Sequence, residues 1–411
     1  MFIMYFMVLG IAAFGGNFIK MNIAGVSFTY ITMAALCFSY FRYIIIKCGK
    51  IPLDKITKSL IIFELYGLLM VLFSILGINK FFISSDLYIN TKYIPRQSYY
   101  LIVLPALILM KEEAYMIPLK KNIYKYGDFF FYLIYIVQIL YNQKFCISVS
   151  TTLVLAGLAL YNGGGKKNIT NLIKFVIIIL TPIAVGGELT NIIIRLIYLV
   201  IFLFINSKKQ VIKLMFLGLI FMIAFIYILP FFMPLFEKIF DANTFWRLKY
   251  WNDELYQVIQ SKLLGVGYGT SYATENFVGR VGSVIGGPFG ASNEYSALDK
   301  LFVVGPHNSY IAILFRLGLI GILMFLRVIF NIGNLIKKYY RNILPASIFL
   351  FFSSIVLIGV NVGLESPYYL LIFVFSIGNV IFDIKLCKNN DAKGNFVIRR
   401  KNEFGYREYF I

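Results

Sequence analysis

The chain has 411 residues, 60% of them hydrophobic and 14% charged, with a formal net charge of +20 and one histidine. Those proportions lie outside soluble averages and exclude an ordinary water-soluble domain. A lone histidine and four scattered cysteines (Cys37, Cys48, Cys146, Cys387) argue against a zinc site, and the basic residues fall in short loops rather than in a patch suited to nucleic acid.

Apolar runs of roughly 17–25 residues recur along the whole length, and the alternation of a transmembrane barrel is absent. The expected fold class is therefore an all-α polytopic integral membrane protein, because helices alone then satisfy the backbone inside lipid. MFIMYFMVLGIAAF at the N-terminus lacks a basic leader and a small-x-small cleavage site, so it reads as a retained first span. Spans are expected near 2–19, 25–46, 59–78, 98–110, 127–142, 145–162, 170–186, 189–206, 213–236, 309–335, 344–363 and 368–386, about twelve in all. Lysine and arginine cluster after the second, fourth, sixth, eighth and tenth spans and in the tail, as at Lys47, Lys120, Lys166, Lys208, Lys337 and Arg399. Every cluster marks an even-numbered exit, which puts both termini in the cytoplasm. The organisation expected is an N-terminal bundle over 1–236, a large extracytoplasmic loop over 237–308, three further spans over 309–386 and a basic cytoplasmic tail over 387–411.

In the loop, NTFWRLKYWNDELYQVIQ spaces Phe245, Leu248, Trp251, Leu255 and Val258 or Ile259 along one helical face. It holds both tryptophans of the chain, a residue that favours the membrane boundary, so this helix is expected to lie on the outer surface. LLGVGYGTSYATENF and VGSVIGGPFGASNEYS follow, rich in glycine and small polar residues that let backbone approach a ligand.

The single imidazole, His307, follows Gly305-Pro306 and precedes Asn308 and Ser309, either of which can cap the next helix. A helix N-terminus favours anions and disfavours imidazolium, which suits a general base. The alternative is a boundary histidine that hydrogen-bonds loop backbone. Arg195 lies six residues into a span and either faces a cavity or snorkels outward. Arg247 lies on the loop helix and Arg280 in the glycine-rich stretch. Guanidinium groups grip phosphate oxygens bidentately, so arginines converging on an outer pocket point to a phosphorylated lipid. Arg316, deep in the tenth span, is expected to pair with Glu64 or another buried acid. Glu188 and Glu365 fall on short outer loops, and Tyr268, Tyr272, Tyr295 and Tyr310 are candidates for stacking on sugar faces.

RLKYWNDELYQVIQSKLLGVGYG, from Arg247, and HNSYIAILFRLGLIG, from His307, stand in the order and spacing that resemble the O-antigen ligase and polymerase superfamily of bacterial membrane glycosyltransferases. The resemblance covers roughly residues 186–330. It departs from the family pattern at Arg316, where members carry an acid, and at LTNIIIRLIY around Arg195. It implies a metal-independent enzyme of the bacterial cytoplasmic membrane, without cofactor, that joins polyprenyl-diphosphate-linked oligosaccharide units. His307 would take the proton of the acceptor hydroxyl. Arg195 and Arg247 would bind the diphosphate, with Arg280, Asn308, Tyr310 and Tyr268 as further substrate contacts. Donor, acceptor and membrane lipids would be its partners, with a chain-length regulator and a flippase as candidate protein partners and no nucleic acid. Two other readings stand beside a polymerase: a ligase using a different acceptor, and a lipid-linked oligosaccharide transporter. Transporters tend to spread polar residues at the midplane of repeated halves, whereas here they concentrate in one loop.

Overall fold

The computed structural model describes scattered positions before residue 54, and then residues 54–83, 86–104, 107, 113–142, 147–162, 169–182, 188–204, 208–236, 242–274, 277, 297–340, 343–360, 364 and 367–393. The spans expected near 2–19 and 25–46 therefore lie mostly outside the described residues, as do Arg280, Tyr295 and Glu365. A hairpin of two two-residue strands, β1 (Asn22–Ile23) and β2 (Val26–Ser27), pairs antiparallel near the N-terminus. The other elements among the described residues are helices, apart from an isolated bridge between Ile89 and Thr270.

Among the described residues the α-helices with assigned bounds are α1 (Lys55–Ile75), α2 (Ile94–Val103), α3 (Glu113–Asn142), α4 (Val149–Asn162), α5 (Ile169–Leu180), α6 (Glu188–Leu203), α7 (Lys208–Phe236), α8 (Ala242–Gln260), α9 (Ala297–Val303), α10 (Ser309–Tyr339), α11 (Pro345–Val360) and α12 (Pro367–Lys393). Among the described residues, three helices are long and apolar enough to cross a membrane: Lys55–Ile75, Lys209–Leu229 within α7, and Ser309–Tyr339. Val149–Leu160, Ile169–Leu180, Thr190–Leu203, Pro345–Val360 and Tyr369–Ile384 are shorter apolar helices. The span expected near 98–110 meets a helix of only 10 residues, and the one near 127–142 continues back to Glu113 in a 30-residue helix.

α1 shows how sequence spacing sorts faces. Asp54 caps it by accepting from Thr57 N at 2.8 Å. Ile56, Leu60, Phe63, Gly67 and Met70 recur at helical spacing and are buried, and α1 packs against α10. Leu65, Leu68, Leu69 and Leu72 on the other face are exposed, an arrangement that suits lipid and not water. α11 is apolar all round and correspondingly buried, touching α4, α6, α7, α10 and α12. An ion pair lies between α5 and α3: Lys174, 1% exposed, meets Asp128. A charge at that depth is retained only when paired.

Candidate active site

α8 sets the site. Its apolar face is Leu248, Trp251, Leu255 and Val258, all buried, while Ile259 is exposed. Its tryptophans, read from the sequence as membrane-boundary residues, also serve a packing role. Trp246 and Trp251 are 2% and 9% exposed and pack inward, on the segment that carries His307. An indole needs a partner for its N–H when buried, and backbone supplies it: Trp251 Nε1 donates to Pro306 O at 2.5 Å. Tyr250 Oη donates to Val304 O at 2.5 Å. The Trp246 ring meets the imidazole edge-on, at 5.4 Å and 88°.

His307 is half-buried and has a backbone φ of 54°, a left-handed conformation uncommon for a side chain of this size. Holding it costs about 1–2 kcal/mol, which the surroundings must offset. Asn308 is the N-cap of α10; its Oδ1 accepts from Tyr310 N at 3.0 Å and Ile311 N at 3.2 Å. Its Nδ2 is buried and has no hydrogen-bond partner. Burial pushes the His307 pKa down to about 4, aided by the charge of Arg247. The imidazole is thus neutral near pH 7. Arg247, next to Trp246 on α8, holds its guanidinium 5.5 Å from that ring.

The described part of the glycine-rich turn after α8 packs on the backbone of α10. α10 is interrupted at Gly318, whose φ is 66° and ψ −168°. The break frees carbonyls, and the turn supplies their donors: Val266 N to Phe315 O at 2.8 Å and Gly267 N to Arg316 O at 3.1 Å. Tyr66 Oη reaches Leu317 O at 3.0 Å, and Leu319 N returns a bond to Leu263 O at 2.9 Å. Gly265 and Gly318 lie backbone against backbone, so a Cβ on Gly318 would fall on Leu263 O and Leu264. The two motifs therefore interlock.

Side chains hold the turn from beneath. Gln97 Oε1 accepts from Gly269 N at 2.7 Å, Ser74 Oγ from Tyr268 N at 2.8 Å, and Asn79 Nδ2 donates to Val266 O at 3.2 Å. Arg316 is 1% exposed and donates through Nη1 to Gly267 O at 3.1 Å and Thr270 O at 2.8 Å, stacked 3.9 Å from the Tyr272 ring. These carbonyls stand where pairing with Glu64 was expected; Glu64 Oε1 is buried without a hydrogen-bond partner. Tyr268 is wholly buried with its hydroxyl 2.6 Å from that of Tyr100, and Tyr310 is wholly buried with its hydroxyl on Ile355 O. Neither ring presents a face on which a sugar can stack.

Arg195 belongs to a different cluster. Its Nε donates to Asn191 Oδ1 at 3.3 Å and its Nη1 to Ile179 O at 3.0 Å, while Nη2 is buried without a hydrogen-bond partner. At 8% exposure its guanidinium does not snorkel to solvent. Its contacts among the described residues run to its own helix and to α5, and His307 is not one of them. No group of three or more His, Cys, Asp or Glu side chains among the described residues is placed to hold a metal ion.

Sequence reasoning missed Trp251 as a partner of Pro306, the Gln97 and Asn79 supports, and the Lys174–Asp128 pair. The last had a signal, a lone lysine inside NLIKFVIIIL. The supports had none, since each acts on backbone some 170–190 residues away in the chain.

Residues 173–326 match the family model described as O-antigen ligase. The matched stretch contains Arg195, Arg247, the GVGYG turn, His307 and Gly318. None of the curated proteins matches the chain.

Proposed function

We propose that this chain, whose residues 173–326 match the family model described as O-antigen ligase, is a membrane glycosyltransferase that polymerises oligosaccharide units carried on polyprenyl diphosphate. One observation carries the reading: a neutral, half-buried imidazole lies against the Trp246 ring, and a guanidinium beside the same ring is close enough to depress its pKa. His307 accepts the proton of an acceptor hydroxyl as the oxygen bonds to the anomeric carbon of the donor. The bond from that carbon to the diphosphate breaks, and the polyprenyl diphosphate leaves. Arg247 stabilises the charge that gathers on the leaving group. Its docking there would also cancel part of the field that keeps His307 weakly basic, so the base would strengthen when the substrate arrives. The buried, unpartnered Nδ2 of Asn308, next in the chain to His307, would serve as a further donor to the substrate. Arg195 is tied into its own cluster, so its loss is expected to cost less than that of Arg247.

Arg247→Ala is expected to lower kcat/KM roughly 10²–10³-fold, with Arg247→Lys recovering only part, because an ammonium lacks the planar fork. Assay of the purified protein with a lipid-linked oligosaccharide checks this, and a wild-type rate in Arg247→Ala would remove the assignment. The family description favours a second reading, transfer of a finished glycan to a different acceptor. Cells lacking the activity separate the two. A polymerase leaves single repeat units on the surface, whereas a ligase leaves long chains on the lipid carrier.

A further inference from the structure

We propose that Trp251 is a positioning residue for His307: its indole N–H, bound to the carbonyl of Pro306, fixes the left-handed turn that aims the imidazole at Trp246 and Arg247. This rests on His307 being the base.

The backbone accounting supports it. From Val304 to Asn308 alternate carbonyls are taken: Val304 O by Tyr250 Oη, Pro306 O by Trp251 Nε1, and Asn308 O by Ala312 N in the first turn of α10. Pro306 has no N–H to offer, so its carbonyl is the nearest handle on the peptide that leads into His307. A φ of 54° at histidine persists only where surroundings over-determine it. α8 supplies those surroundings with consecutive residues, Tyr250 and Trp251, while Trp246, between one and two turns earlier, meets the imidazole itself. The charged group that acts on the imidazole is Arg247, on the same helix. Asp253 and Glu254 lie further along α8.

Trp251 cannot touch substrate through this bond, because its N–H is engaged on backbone. Its effect must pass through His307. Released from that hold, the imidazole would leave its buried place and titrate like a free side chain.

One histidine in the chain makes the test direct. The full-length protein labelled with ¹⁵N-histidine gives one imidazole signal, and its titration is followed in the wild type, in Trp251→Phe and in Trp246→Phe. Half-protonation near pH 4 is expected in the wild type and a shift toward 6.5 in Trp251→Phe. In the assay kcat should fall about 10²-fold with KM little changed. A Trp251→Phe protein that titrates as wild type overturns the proposal, whatever its heat stability. If that variant does not accumulate, benzothienylalanine at position 251 removes only the N–H and gives the same readout. Failure of the base reading is seen separately: His307→Asn would then keep its activity, while the titration would still report whether Trp251 holds the ring.

Discussion

His307→Asn is expected to reach the membrane at normal levels and to lose about 10²–10⁴-fold in turnover. Asparagine tolerates the left-handed backbone that position 307 requires, so it removes the base without adding strain. His307→Ala removes the base and also places a less tolerant residue there, so it should be less stable than His307→Asn but no less inactive. The readout is single-turnover glycosyl transfer by purified protein, with melting of the same samples as control. Full turnover in His307→Asn would sink the base assignment. The pH dependence has a definite sign. A base works when unprotonated, and a pKa depressed to about 4 by burial and by Arg247 keeps it so down to acid pH. The acid limb of kcat/KM should therefore lie near 4, well below the 6.5 of a free imidazole, with activity lost as pH falls through it. Arg247→Gln removes the second cause and moves the limb upward.

The second large effect belongs to the break in α10. Gly318→Ala forces a Cβ onto Leu263 O and Leu264 at a positive φ, with backbone and no flexible side chain in the way. A loss of about 2–4 kcal/mol is expected, read as a lower melting temperature in detergent and reduced accumulation in cells. Gly265→Ala should behave alike, since its Cβ would meet Gly318 N and come within 2.8 Å of Arg316 O. Gly218 in α7 is the control. Nothing lies within 4 Å of a Cβ there, and alanine should be neutral or slightly stabilising in a helix. Equal melting of Gly318→Ala and Gly218→Ala would mean that the interlock contributes nothing.

Much of this was legible in sequence because it depends on periodicity and local capping. The helix Ala242–Gln260 and its buried stripe of Leu248, Trp251 and Leu255 follow from spacing alone, while the structure chooses Val258 over Ile259 for the stripe and Asn308 over Ser309 for the cap. What escaped depends on partners distant in the chain. Trp251 read as an interfacial residue because the sequence shows an aromatic and not the carbonyl of Pro306 that it serves. GVGYG read as ligand-facing because glycine announces close backbone approach without naming what approaches; here it is Phe315, Arg316 and Gly318. Arg316 read as half of an ion pair because a buried cation suggests an acid, yet two carbonyls of the turn receive its Nη1. Arg195 and Arg247 looked equivalent as charges, and only packing separates their clusters.

The interruption at Gly318 bears on how the chain is made. Phe315, Arg316 and Leu317 take their carbonyl partners from Val266, Gly267 and Tyr66, all translated earlier. Broken at Gly318 but without those partners, the helix from Ser309 to Tyr339 would hold those three oxygens unsatisfied in lipid, a penalty hydrocarbon does not relieve. Its insertion must therefore finish by docking on a surface already laid down by the preceding polypeptide. A ribosome-arrested chain ending after Tyr339 should accordingly lose the native protease resistance of this helix when Gly267 or Tyr66 is altered.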